Sequence, residues 1–122
     1  MFIKKSIILL ISLLFSNNLF AENYNTAVIR GLDKVTATVI TFEASIGQTI
    51  KFGTLEIMVR ACIKSSPEEP PESSVFIDVW ETRPSQSTIS VYRGWMIASS
   101  PSLAAMEHPV YDLWIIDCKS QS

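Results

Sequence analysis

The sequence predicts an all-β domain, a small sandwich or barrel of about seven short strands, with one short helix before the last strand. Three observations lead there. The run Leu55–Ile63 places Leu55, Ile57, Val59, Ala61 and Ile63 at every second position, on a face opposite Glu56, Met58, Arg60 and Cys62, the period of a half-buried strand. Further short runs rich in Val, Ile, Thr and aromatic residues recur between Gly, Pro and Ser turn signals. The period changes once only, around residues 99–108.

In chain order, residues 1–21 form a separate segment. Lys4 and Lys5 precede the apolar run Ile7–Phe15, Ser16-Asn17-Asn18 break it, and Ala21 supplies a small residue before Glu22. That order is the pattern of a secretory signal peptide. The apolar run is shorter than the roughly 20 residues of a spanning helix, so the expectation is a cleaved leader, no remaining membrane span and a periplasmic address. Residues 22–122 then make a single β domain.

Glu22–Asn25 reads as a polar, unstructured lead-in. Thr26–Arg30 is a strand ended by Gly31, and Arg30–Lys34 a charged surface turn. Val35–Phe42 and Thr49–Phe52 follow as strands, and Gly53-Thr54 reverses the chain into Leu55–Ile63. In that strand Leu55, Ile57, Val59, Ala61 and Ile63 share one face, and Cys62 falls on the other with Glu56, Met58 and Arg60. Residues 64–74 form an exposed, extended loop, because its prolines cannot donate to a ladder and its glutamates resist burial. Val75–Thr82 and Thr88–Ala98 are strands, the second with a bulge or close approach at Gly94. Ser100 as N-cap, Pro101 as first residue and Pro109 as stop predict a two-turn helix. Tyr111–Cys118 is the final strand.

Charge and composition exclude several functions. The whole chain has 12 acidic against 10 basic residues, and loss of Lys4 and Lys5 widens that excess. A mildly acidic domain without basic clusters does not suit nucleic acid. One histidine with scattered carboxylates makes no metal site, and no cofactor motif is present. Cys62 and Cys118, an even count in an exported chain, predict a structural disulfide. Redox pairs need cysteines two residues apart and structural zinc needs four ligands, and the chain has neither. Because Cys62 lies on the polar face, either a bulge turns it inward or the bridge sits on the outside of the sheet.

Three constellations are candidates for function. Ser99 or Ser100 with His108 and Asp112 or Asp117 has the residue types of a hydrolytic triad. A helix start and a helix last turn explain the same residues without catalysis, and no Gly-x-Ser-x-Gly elbow occurs. Glu68, Glu69 and Glu72 sit in a loop too mobile and wet for separated carboxylate roles. The rings of Trp80, Trp95, Trp114, Tyr92 and Tyr111 are read first as core, with an exposed platform for glycan or a protein as the alternative.

Several segments together resemble an uncharacterised exported family of Gram-negative bacteria, domain of unknown function 2155. They are Arg30-Gly31-Leu32-Asp33-Lys34-Val35-Thr36, Phe52-Gly53-Thr54-Leu55-Glu56-Ile57, Arg60-Ala61-Cys62 and Pro67-Glu68-Glu69-Pro70-Pro71-Glu72. Gly94-Trp95-Met96, Ala98-Ser99-Ser100-Pro101, Glu107-His108-Pro109-Val110-Tyr111-Asp112 and Asp117-Cys118 complete the series in order. The resemblance implies export and carries no mechanism. The resulting expectation is a non-catalytic, periplasmic interaction or structural module of the cell envelope. Its expected contact surface is Trp95, Ser99, Ser100, Glu107, His108, Tyr111 and Asp112, facing an envelope protein. Glycan or peptidoglycan binding by the tryptophans is the alternative, and a serine hydrolase using Ser100 and His108 the second alternative.

Overall fold

A computed structural model describes residues 22–101 and 106–121. The expected signal peptide at 1–21 and the middle of the expected helix, 102–105, lie outside the described residues. The fold is a two-sheet β-sandwich. Its strands are β1 (Glu22–Asn23), β2 (Thr26–Asp33), β3 (Thr38–Ser45), β4 (Thr49–Phe52), β5 (Leu55–Lys64), β6 (Ser73–Glu81), β7 (Ile89–Ile97) and β8 (Tyr111–Lys119). Sheet A runs β1-β5-β6-β7, with β4 beside β1 on the free edge of β5; sheet B runs β3-β2-β8. All pairings are antiparallel.

The core lies between the sheets and is built from the inward half of each alternation: Ile57, Val59, Val75, Ile77 and Val79 from sheet A, Ala27, Ile29, Leu113 and Ile115 from sheet B. These side chains, most of them branched, fill the interior, and the tryptophans do not, contrary to the expectation from their size. Trp80 and Trp95 occupy outward positions of sheet A and Trp114 an outward position of sheet B, each beside an inward-facing neighbour. Tyr92 and Tyr111 do pack against the core.

The bulge explanation holds for Cys62. Val59 pairs with Ile77 and Ala61 with Phe76, so Arg60 is an extra residue in β5. One inserted residue reverses the phase of the strand beyond it, and Cys62 is thereby buried rather than outward. It bonds to Cys118 of β8 across the sandwich, Cα to Cα 5.8 Å.

The termini of several elements differ from expectation for local reasons. Gly31 does not end β2; it lies inside the strand opposite Ile40 and Leu113. A methyl group there would come within 2.8 Å of the Phe52 ring, so glycine admits that ring rather than a turn. The turn lies at 34–37, where Asp33 Oδ1 accepts the amides of Val35 (2.9 Å) and Thr36 (3.2 Å) and Ala37 has φ 57°. Asn23 and Glu22 pair with Ile63 and Lys64 of β5 instead of trailing free. The acidic loop is exposed at 67–71 but folded back on itself. Glu69 N donates to Ser66 O, and Ser65 and Glu72 clip its base together. Met106–His108, the expected last helical turn, is irregular because Met106 and His108 turn into the interior.

Candidate functional site

The direction of the strands fixes where the candidate residues lie. β6 runs from Ser73 at one end of the sandwich to Glu81 at the other, and each end carries its own polar cluster.

At the first end, Ser99 follows β7 and meets the base of the acidic loop. Its hydroxyl and its amide both donate to the Glu72 carboxylate. The Ser99 hydroxyl bond, above the amides of Ser99 and Ser73, holds Glu72 below the usual carboxylate range against the opposing effect of its partial desolvation. Glu72 is therefore tied down rather than mobile. Beside it, Ser73 donates to Asp117 (3.3 Å) and Lys64 pairs with Asp117 (3.0 Å). Burial pushes Asp117 up, but Lys64, the Cys118 amide and Ser73 together hold it low.

At the opposite end lies a buried cluster around Glu81. Its Oε2 accepts from Thr54 Oγ1 (2.5 Å) and meets His108 Nε2 at 3.0 Å, and Oε1 pairs with Arg83 (3.3 Å). His108 Nδ1 accepts the amides of Val110 (3.0 Å) and Tyr111 (3.2 Å). An acceptor Nδ1 places the ring proton on Nε2, which donates it to Glu81. The Thr54 hydrogen bond first, then His108 and Arg83, keep Glu81 below the ordinary carboxylate range despite burial. Lys34 adds a bond from Nζ to the His108 carbonyl (2.8 Å) and pairs with Asp112 at 3.4 Å. A ring series Phe42, Phe52, Tyr111, His108, with neighbouring centroids 5.2–6.0 Å apart, runs from the core to this cluster. Gly53, at φ 60°, leaves room for the Tyr111 hydroxyl.

The seven expected contact residues are thus not one patch. Ser99 and Ser100 lie at the Glu72 end; Glu107, His108, Tyr111 and Asp112 lie at the Glu81 end. Nine residue steps along the strand separate Glu72 from Glu81, about 30 Å at the usual rise. Ser99 is committed to Glu72, and both nitrogens of His108 are occupied by Glu81 and main-chain amides. His108 lines a cleft of about 360 Å³ with Arg83, Gln86, Ile89, Ser90 and Glu107. Its polar atoms are turned toward Glu81 and the backbone, so the cluster latches His108 and the chain entering β8 onto the sandwich.

The third region is the outer face of sheet A. The pairing Ala61–Phe76–Trp95 makes an apolar row, with Phe76 and Trp95 edge to face at 5.5 Å. The adjoining row holds Asp78 between Arg60 (3.1 Å) and Arg93 (3.8 Å). Beyond it Trp80 donates its indole N–H to Glu56. Trp95 is 43% exposed. The Tyr92 hydroxyl donates to the Trp95 carbonyl (2.8 Å). Among the described residues no group of His, Cys, Asp and Glu is placed to hold a metal, and no helix is long and apolar enough to cross a membrane.

Sequence reasoning missed Glu81 and the Arg60–Asp78–Arg93 row. The signal for Glu81 was present: Val75, Ile77 and Val79 set an inward phase in which Glu81 is the next member. A carboxylate at such a position demands buried partners. Arg60 was hidden by the bulge it forms.

No solved structure matches the chain. It is similar to uncharacterised protein RP359 of Rickettsia prowazekii (strain Madrid E), 30% identical over 97 residues. That alignment covers 80% of this chain and 63% of the relative, so the chain spans less than two thirds of that protein's length. A family model described as an uncharacterised protein conserved in bacteria matches residues 27–118, the span from β2 to the second disulfide cysteine. The chain belongs to that family, DUF2155.

Proposed function

We propose that this protein works outside the cytoplasm, in the periplasm, as a non-catalytic contact module of the cell envelope. The contact face in this reading is the outer surface of sheet A. The observation that carries it is the row of Trp95 and Phe76 beside Arg60, Asp78 and Arg93 on the sheet's outer side, where Trp95, Arg60 and Arg93 are exposed among the described residues. Tryptophan and arginine are the residues that dominate protein interfaces, because each combines large apolar contact area with a directional polar group. The address is supported by the leader-like order of residues 1–21 and by a disulfide, which persists in oxidising compartments.

A cross-linking experiment on the exported chain tests both parts. The expected result is a processed, oxidised protein in the periplasmic fraction and a defined envelope protein captured by the native chain but not by Trp95→Ala. A partner captured equally by both removes this face from the proposal, and an unprocessed, reduced chain in the cytosol removes the address.

Glycan binding is the second reading, favoured by the outward placement of both Trp80 and Trp95 on one sheet face. Sedimentation with insoluble peptidoglycan, lost in Trp80→Ala and Trp95→Ala, would select it over a protein partner.

A further inference from the structure

Open β-edges invite other chains, and native proteins protect them by shortness, charge or bulges. Among the described strands, sheets A and B have five edge strands, and four are protected in these ways. β1 has two residues; β4 has four, including Lys51. β7 carries Arg93 and Gly94 and a register shift against β6. β8 carries Asp112, Asp117 and Lys119 and a register shift against β2.

β3 has none of these devices between Thr38 and Phe42. It is eight residues long and pairs with β2 through eight consecutive positions without a shift. Thr38-Val39-Ile40-Thr41-Phe42 contains no charge, no proline and no glycine. Val39 and Ile40, on opposite faces of the sheet, are 53% and 43% exposed. Val35, in the turn that leads into the strand, is 77% exposed. The apolar surface therefore wraps both sides of this one edge.

We propose that β3 is a self-association edge, on which a second copy of this chain adds its own β3 antiparallel to continue sheet B. A second copy fits for two reasons. An antiparallel edge is complementary to itself about a two-fold axis, so one surface serves as both partners. The register centred on Ile40 also brings no like charges together: Thr38 faces the second copy's Phe42, Val39 its Thr41, and Glu43 its Ala37. Glu43 is moreover already paired with Lys119 of its own chain. This edge belongs to sheet B and is a separate surface from the contact face on sheet A.

The test uses the exported, processed chain purified with its disulfide formed. In analytical ultracentrifugation the native protein shows a concentration-dependent dimer. Val39→Lys weakens it by about tenfold or more, since the two introduced charges become diagonal neighbours on one face across the edge. Ile89→Lys, on the protected edge strand β7, leaves it unchanged. Ile40→Cys reads the register independently of any loss of folding. Directly opposed residues lie about 4.5–5.5 Å apart at Cα, within the reach of a disulfide, so this variant forms an intermolecular bridge on oxidation. Ile89→Cys does not. A native protein that stays monomeric at all concentrations overturns the proposal. So does a dimer that tolerates Val39→Lys, or one in which Ile40→Cys fails to cross-link.

Discussion

Removing the bridge between Cys62 and Cys118 is the perturbation whose size the structure sets most directly. The two cysteines are 56 residues apart in sequence and tie β5 of sheet A to β8 of sheet B. Freed from that link, the unfolded chain gains the entropy of an open loop, about 4 kcal/mol in the chain-entropy treatment. For a domain near 100 residues each kcal/mol moves the melting midpoint by about 4–8 °C, so the expected drop is roughly 15–30 °C. The assay is thermal unfolding followed by circular dichroism. It compares the oxidised protein, the protein under reductant, and a Cys62→Ala/Cys118→Ala double variant. Both cysteines are buried, so the reduced protein should fall short of the oxidised one without losing its strand signal at low temperature. A midpoint within a few degrees across all three samples would refute the reasoning, because it would mean the bond closes nothing that packing had not already closed.

Two further predictions concern the Glu81 end. Gly53→Ala, which forces a side chain into a left-handed conformation and onto the Tyr111 ring, should cost about 1–3 kcal/mol in denaturant unfolding. Glu81 has its folded pKa below its unfolded one, so the native state binds fewer protons there. Its stabilisation is complete at neutral pH and disappears as pH falls from the ordinary carboxylate range through the lowered value. Glu81→Gln should lose about 1–3 kcal/mol at neutral pH and show a shallower acid limb. Glu72 and Asp117 are lowered as well, so part of the acid dependence should remain in that variant. An unchanged acid limb would show that Glu81 is not linked to folding.

The strands were legible because branched residues alternate along them, and β5 was read almost to its bounds from Leu55 to Ile63. What alternation cannot register is an extra residue. Arg60 looks like an ordinary outward position, and only pairing with β6 shows that it has none. Gly31 misled in a similar way, since glycine signals a turn and a close ring approach alike. Phe52, which decides between them, is 21 positions away in sequence. The tryptophans were placed by size, yet the pleat governs direction: each lies one residue from a buried neighbour and so faces outward. The candidate site fragmented for a related reason. Residues 99 and 108 are near in sequence, yet Ser99 meets Glu72 at one end of the sandwich and His108 meets Glu81 at the other, which local pattern does not encode.

The Arg60 bulge ties the bond between Cys62 and Cys118 to the alignment of the two sheets. With β5 slipped by one position, the thiol of Cys62 would point to solvent and away from Cys118. In the folded molecule the covalent link between β5 and β8 is compatible with the bulged phase alone, so it keeps the two layers from drifting out of alignment.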